Sequence, residues 1–233
     1  MNVYIIVEGA CTEYIVYPRW LDILAPGLVR VDNVCDMQDN NYYLFSGGGI
    51  PSIYSHIANA VEDINNINAA GDVRIDWLLV CIDTEEESRE YILDRINDTL
   101  AQRKISIESF GLEVFEQKVS MESWFLGNRR IFKSNPEDAE LRRYISHYNV
   151  RENDPELMEN IDVEEFSTRA RFHHSYLKRI FREQHIIYSK ARPGDVCEKH
   201  YLDRIIQRWH DTVHIASFGR WYMFVKDKLA ASE

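Results

Sequence analysis

The chain has 233 residues, a formal net charge of -11 at pH 7 and 45% hydrophobic residues. This composition predicts a folded protein of one large domain, or a domain with an appendage, and argues against disorder. No apolar run approaches the roughly 20 residues of a membrane span, and the first residues resemble a strand rather than a leader peptide. The four cysteines are widely spaced, without a C-x-x-C pair, so we expect a cytoplasmic protein.

Strands and helices alternate along the first half of the sequence. Apolar runs predict strands at 3–8, 29–34, 42–45, 77–82 and 112–119. Helical spacing of apolar residues, with start and stop signals, predicts helices at 12–24, 53–68, 86–103 and 122–126. This alternation is typical of an α/β fold with a mostly parallel sheet flanked by helices.

The pattern becomes largely helical in the second half. Helices are predicted at 136–148, 167–185 and 198–209, and residues 186–188 are consistent with an edge strand. The sequence has no internal repeat and no clear linker. We therefore predict a core at 1–128 and a mainly helical C-terminal region at 129–233 that packs on it.

Carboxylates follow three of the predicted strands, as Glu8, as Asp83 with Glu85, and as Glu122. The carboxyl ends of parallel strands meet at one edge of a sheet, where open α/β folds bind ligands. Crowded carboxylates repel one another, and a divalent cation relieves that repulsion. The sequence thus predicts a metal site for Mg²⁺, or Mn²⁺, held by these four acids. The alternative is that they cap helices or complement helix dipoles, above all Glu122, which begins a helix.

Two short motifs carry a family resemblance. The run V-E-G-A-C-T-E at 7–13 is similar to the V-E-G-x-T-E opening of small Toprim proteins, with one residue inserted before Thr-Glu. The run M-E-S-W-F-L at 121–126 resembles their E-x-W segment, and a strand ending in Asp-x-Glu lies between the two. Over residues 1–128 the chain therefore resembles the Toprim domain of topoisomerases, primases, small ribonucleases and OLD-family nucleases.

The resemblance implies a role for each matching acid. Glu8 corresponds to the first-strand acid, a metal ligand or general base, and Asp83 to the first metal-binding aspartate. Glu85 replaces the second aspartate, and the neighbouring Glu86 and Glu87 are further candidates for that position. Glu122 is inferred from its place at a strand end.

The resemblance also implies a function. Small Toprim proteins of this kind are nucleases of bacterial anti-phage systems, paired with an ATPase subunit that controls them and often dimeric. We therefore expect a Mg²⁺-dependent nuclease that cleaves DNA or a structured RNA such as tRNA, with an ATPase partner and a homodimeric state. The alternative is a Toprim-like binding or regulatory subunit that has no catalytic turnover. Nucleotidyl transfer is less favoured, because no second polymerase motif is present.

Basic residues are concentrated late in the chain. Lys190, within Y-S-K-A-R-P-G at 188–194, resembles the lysine that follows the metal acids in OLD-like nucleases, so we expect it to be catalytic. A basic stretch over 168–192 contains a single acid and is a candidate for binding nucleic-acid phosphates, despite the acidic whole. The residues predicted to bind phosphates are Arg169, Arg171, Lys178, Arg179, Arg182 and Arg192. The alternative is a solvated helix that pairs with the acidic segment at 151–165.

Two further features favour structural explanations. His173 and His174 are adjacent, so on a helix their rings diverge by about 100° and do not readily share a metal ion. The glycines at 47–49 precede a helix and could cradle a phosphate, but they lack the P-loop pattern, which favours a flexible turn.

Overall fold

The computed structural model describes residues 1–230. The chain forms two compact units. The first, here called the sheet unit, comprises Met1–Ile82, Glu87–Glu116 and residues 223–230. The second, the helical unit, comprises Asp83–Glu86 and Gln117–Tyr222. Glu8 therefore belongs to the sheet unit, whereas the other predicted site residues belong to the helical unit.

Five strands form a single parallel sheet. They are β1 (Val3–Val7), β2 (Val29–Val31), β3 (Asn41–Ser46), β4 (Trp77–Asp83) and β5 (Gly111–Gln117), in the order β2-β3-β1-β4-β5. In the centre, Val7 of β1 lies opposite Ser46 of β3 and Cys81 of β4. The predicted α/β class, a parallel sheet flanked by helices, is confirmed.

Three helices pack against this sheet: α1 (Thr12–Leu24), α2 (Ser52–Ala70) and α3 (Arg89–Arg103). Side chains alternate between the two faces of a strand, so Tyr4 and Ile6 of β1 join the cluster formed with α2 and α3. On β4, Cys81 instead hydrogen-bonds to Tyr17 of α1. Both faces of the central strands are thus covered, which explains why β1 is apolar at every position.

The helical unit contains α4 (Met121–Phe125), α5 (Ala139–His147), α6 (Arg169–Glu183), α7 (Lys199–Thr212) and most of α8 (Ala216–Phe224). Its buried interior is rich in aromatic side chains, among them Trp124, Phe125, Tyr144, Phe172, Tyr176, Phe181, Tyr201, Phe218 and Trp221. Within residues 1–230, each helix is too short or too polar to cross a membrane.

Two features of the helical unit differ from the sequence prediction. The predicted edge strand at 186–188 is absent from the described structure; a tight turn follows instead, closed by paired backbone hydrogen bonds between Ser189 and Arg192. The helix α8 was not predicted, although its buried Phe218, Trp221 and Tyr222 recur at the spacing of one helix face. Its Gly219 is required, because a Cβ there would overlap the indole of Trp209.

Helix α4 is anchored by a buried polar network. Trp124 Nε1 donates to Ser217 Oγ at 2.7 Å, and Ser217 Oγ in turn donates to Glu156 Oε1 at 2.5 Å. The Ser217 backbone N–H donates to the same carboxylate at 3.2 Å. Burial raises the pKa of Glu156 to about 7, and the hydrogen bonds from Ser217 oppose this increase without cancelling it.

The pKa of Glu156 predicts a pH-dependent stability. The pKa is raised on folding, so the folded state binds more protons than the unfolded state between about pH 4.5 and 7, and stability falls as pH rises through that window. We expect Glu156→Gln to be more stable than wild type by on the order of 3 kcal/mol at pH 8, with the gain fading towards pH 5. Urea unfolding at several pH values measures this difference.

The exposed Glu164→Gln serves as the matched control and should change stability by less than about 0.5 kcal/mol at every pH. A gain in the Glu156→Gln variant that does not depend on pH would contradict the assignment.

Candidate functional site

Glu8 follows the central strand β1 directly. Its backbone N–H donates to the Cys81 carbonyl at 3.1 Å, and its own carbonyl accepts from the Gly49 N–H at 3.2 Å. Its backbone is therefore fixed between β4 and the glycine turn. The next residue, Gly9, lies close to the Glu13 carboxylate, so the V-E-G and T-E elements meet in the structure.

The end of β4 is joined to the segment after β5. Thr84 N–H donates to the Gln117 carbonyl at 3.1 Å, and Thr84 Oγ1 accepts from the Val119 N–H at 2.9 Å. Asp83, the last residue of β4, is half-buried. Glu85 adopts a left-handed backbone conformation with φ 48°, and its side chain is exposed.

Glu86 was a further candidate for the second metal-binding position, but in the structure it has another role. Its carboxylate accepts from the backbone N–H of Arg169, the first residue of α6, at 3.0 Å. A carboxylate at a helix N-terminus complements the helix dipole and satisfies an unpaired N–H group. Among the acids after β4, this one stabilises the start of α6.

Glu122 lies at the centre of a polar cluster and is only 2% exposed. Its Oε1 accepts a hydrogen bond from His174 Nδ1 at 3.0 Å and from the Tyr188 hydroxyl at 3.2 Å. Lys190 Nζ lies 3.8 Å from the same oxygen. We call these four residues the Glu122 cluster. It brings together two predicted site residues, Glu122 and Lys190, with two that the sequence did not indicate.

The Glu122 carboxylate is ionised at neutral pH. Burial raises its pKa, but the hydrogen bond from His174 and the charge of Lys190 outweigh burial and bring the pKa down to about 2. An ionised carboxylate only accepts hydrogen bonds, so Nδ1 of His174 carries a proton. Within residues 1–230 no group is hydrogen-bonded to His174 Nε2, and this side chain is 28% exposed. Nε2 is therefore the ring nitrogen of His174 that the Glu122 cluster leaves available, and the hydrogen bond through Nδ1 orients it.

The neighbouring pair of Ser123 and His173 is structural. His173 is fully buried, and burial lowers its pKa to about 4, so the ring is neutral. Its Nε2 donates to the Met158 carbonyl at 2.9 Å, so its Nδ1 accepts from Ser123 Oγ at 2.8 Å. The two adjacent histidines thus point to different partners, as their spacing predicted.

The six residues predicted to bind nucleic-acid phosphates fall into two groups. Arg169 binds the Met158 carbonyl and Glu159, and Arg179 binds Asp138 at 2.8 Å, so both hold the helical unit together. The other four are exposed: Arg171, Lys178, Arg182 and Arg192. The first three recur along one side of α6 at the spacing of a helix face. We call these four exposed residues the basic face.

A groove of about 390 Å³ lies along the end of this face. Its lining combines cationic with apolar side chains, including Lys178, Arg182, Phe181, Ile187 and Tyr188. Tyr188 thus lines the groove while its hydroxyl binds Glu122. Cations beside an aromatic ring suit a ligand that has both a phosphate and a base.

The four predicted metal ligands are not assembled as one group. Across residues 1–230, no set of three or more His, Cys, Asp or Glu side chains is arranged to hold a metal ion. Glu122 Oε1 instead faces the protein donors of its own cluster. Glu8 follows β1 in the sheet unit, and Asp83 ends β4 and belongs to the helical unit. The metal site predicted from the sequence therefore stays a prediction.

Sequence reasoning missed His174 and Tyr188. The apolar stripe of α6 could have separated the histidines, because His173 lies between buried Phe172 and Tyr176 on one face while His174 falls beside Arg171 and Lys178. Tyr188 had no local signal, because its partner is 66 residues away along the chain.

No protein-family model, curated protein or solved structure matches this chain.

The lowered pKa of Glu122 predicts the effect of removing its charge. The ionised carboxylate contributes stability that is fully present above about pH 4.5 and is lost as pH falls towards 2. We expect Glu122→Gln to lose on the order of 3 kcal/mol of unfolding free energy at pH 7, with a smaller loss below pH 4.5. Denaturant unfolding in metal-free buffer measures this loss.

Glu85→Gln provides the control, because the Glu85 side chain is exposed and should leave stability within about 0.5 kcal/mol of wild type. Equal stability of the Glu122→Gln variant and wild type at pH 7 would be inconsistent with an ionised, hydrogen-bonded Glu122.

Proposed function

We propose that this protein is a metal-dependent nuclease that cleaves phosphodiester bonds of DNA or of a structured RNA such as tRNA. The observation that carries the proposal is the Glu122 cluster, in which an ionised carboxylate orients a histidine and lies close to an exposed lysine. The basic face and the groove beside Tyr188 supply the positive charge that a nucleic-acid backbone requires.

Each residue of the cluster has a role in hydrolysis. His174 Nε2 takes a proton from the attacking water, whose oxygen bonds to phosphorus while the bond to the leaving sugar oxygen breaks. Solvent water protonates that leaving oxygen. Lys190, which is 58% exposed, stabilises the negative charge that develops on the phosphoryl oxygens. Glu122 holds the histidine in one tautomer, and Tyr188 helps to fix the carboxylate.

The metal ligands of this proposal are the acids predicted from the sequence, Glu8, Asp83 and Glu85. The sheet order supports this assignment, because strand order reverses between β1 and β4 and such switch points bind ligands at their carboxyl ends. A bound Mg²⁺ or Mn²⁺ would acidify water and neutralise phosphate charge.

The biological setting of the proposal rests on the resemblance to small Toprim effectors. In that setting the nuclease is the toxic component of an anti-phage system, an ATPase partner restrains or releases it, and two copies of the chain form a dimer.

A second candidate is a regulatory or assembly subunit without turnover. Two observations favour it: within residues 1–230 there is no three-ligand metal group, and Glu122 already binds protein donors. Titration calorimetry with Mg²⁺ and Mn²⁺ separates the two candidates. Metal binding that is lost in both the Glu8→Ala and the Asp83→Ala variants supports the nuclease, whereas no binding supports the regulatory subunit.

Cleavage assays give the direct test of the nuclease. With DNA or total tRNA and Mn²⁺, we expect Glu8→Ala and Asp83→Ala each to abolish cleavage while leaving the fold intact. Lys190→Ala should lower the rate by about 10²–10³-fold, because it removes one donor to the developing charge. The matched control is Lys199→Ala, an exposed lysine paired with Asp203, which should cleave at the wild-type rate. Retained cleavage in both acid variants would refute the proposal.

The basic face predicts a salt-dependent contribution to binding. Replacing Arg171, Lys178 or Arg182 by glutamine should weaken nucleic-acid binding at low salt, because each replacement removes one cation from the phosphate backbone. The slope of log K against log [salt] should become shallower by about 0.7–0.9 for each cation removed. Fluorescence anisotropy at several salt concentrations, in the catalytically inactive Asp83→Ala background, measures the slope. Lys199→Gln again serves as the control, and an unchanged slope in all three variants would remove α6 from the interface.

A further inference from the structure

A second cationic site lies at α7, apart from the Glu122 cluster and the basic face. It is a pocket of about 200 Å³ lined by Arg129, Arg130, Arg204, Gln207, Arg208 and Asp211. None of these residues belongs to the predicted nuclease site. We call it the arginine pocket. Four guanidinium groups that line one small pocket repel one another, and an anion bound there would relieve this repulsion.

Arg208 is the unusual member of this pocket. It is only 2% exposed, and its guanidinium donates to backbone carbonyls, to Asn153 at 2.6 Å and to Leu126 at 3.3 Å. It also lies 3.1 Å from His214 Nδ1. Among residues 1–230, no carboxylate lies within ion-pairing distance of Arg208, and its buried Nε has no hydrogen-bond partner. A buried arginine is ordinarily paired with an acid, whereas Asp154 and Glu152, the acids near enough to favour the charge of Arg208, form no ion pair with it.

The surroundings increase this positive potential. Burial and the nearby charge of Arg129 lower the pKa of Arg208 to about 10, against the opposing charges of Asp154 and Glu152, which leaves the guanidinium charged at neutral pH. The Nε of Arg129 is likewise buried without a partner in the described structure. Arg204 Nη1 donates to Gln207 Oε1 at 2.8 Å, so the polar group that Gln207 has left is its NH₂ donor.

One acid lines the pocket. Asp211 is exposed, and within residues 1–230 it forms no ion pair with any of the four arginines. The charges of the lining residues therefore sum to a strongly positive site that presents donors and few acceptors. Such a lining is complementary to an oxyanion that carries several oxygens.

We infer that the arginine pocket binds a phosphate group. Its volume equals that of about seven waters at roughly 30 Å³ each, which accommodates a phosphate with a few waters but falls below the size typical of sites that enclose a whole drug-sized ligand. Any nucleoside or nucleic-acid chain attached to the phosphate extends out of the pocket. A phosphate of charge near -2 matches the surplus of guanidinium groups better than a single carboxylate.

The test uses exposed pocket residues, so that the fold is preserved. Arg130→Gln and Arg204→Gln alter the lining without touching the buried Arg208. Isothermal titration with inorganic phosphate and pyrophosphate at low ionic strength should show one site per chain, weakened about tenfold by each variant. The exposed Arg151→Gln, which lies outside the pocket, is the matched control and should bind like wild type. Thermal melting confirms that all three variants are folded.

Two further sets of titrations identify the molecule that supplies the phosphate. A short oligonucleotide with a 5′-phosphate is compared with the same oligonucleotide bearing a 5′-hydroxyl, and a nucleoside diphosphate is titrated separately. Stronger binding of the phosphorylated oligonucleotide indicates a nucleic-acid end, and stronger binding of the diphosphate indicates a nucleotide. No binding by wild type at millimolar phosphate, or equal weakening in the Arg151→Gln control, overturns the inference. The nuclease proposal does not depend on any of these outcomes.

Discussion

The burial of one negative charge organises the helical unit. An ionised carboxylate inside a protein costs several kcal/mol unless donors surround it. Glu122 meets this requirement with His174 from α6, together with Tyr188 and Lys190 from the turn that follows α6. Helix α4 and the stretch formed by α6 and its following turn, which begin to meet across 52 residues of sequence, must therefore come together at a single oxygen, and the histidine is held in one tautomer as a consequence.

Helix α4, which carries Glu122, is also held in place by the two side chains that follow Glu122. Ser123 donates to His173, and Trp124 donates to Ser217, which binds Glu156. Three consecutive residues of α4 thus have three separate buried partners. This arrangement gives a structural reason for the E-x-W pattern, because a change of either named residue leaves a buried donor or acceptor without its partner.

The sheet imposes a second constraint. Strand β1 lies at the centre of the sheet, with β3 on one side and β4 on the other. The chain first adds strands on one side of β1 and then on the other, so the switch in strand order falls next to the residue that follows β1. The glycine turn at 47–49 and the close approach of Gly9 to Glu13 hold that position. A carboxylate at this point, such as Glu8, lies where parallel sheets expose their strand ends.

The basic residues have different roles in a chain whose net charge is -11. On α6, Arg169 and Arg179 hold neighbouring segments, whereas the basic face remains exposed. At α7, Arg208 is buried without a carboxylate partner in the described structure. Salt screening limits the positive potential of each basic group to its immediate surroundings, so the net negative charge of the chain does not prevent local anion binding.

The sequence by itself determined the α/β class, the five strands within a few residues and most helices, because apolar periodicity records which faces are buried. It also placed Glu8 and Asp83 at strand ends. It did not reveal α8, the turn at Ser189 or the division of the arginines into paired and exposed groups. The division of the arginines depends on contacts between residues far apart along the chain, such as the pair of Arg179 and Asp138, which are 41 residues apart. Tertiary structure alone joined Tyr188 to Glu122, because a hydrogen bond across 66 residues leaves no local pattern.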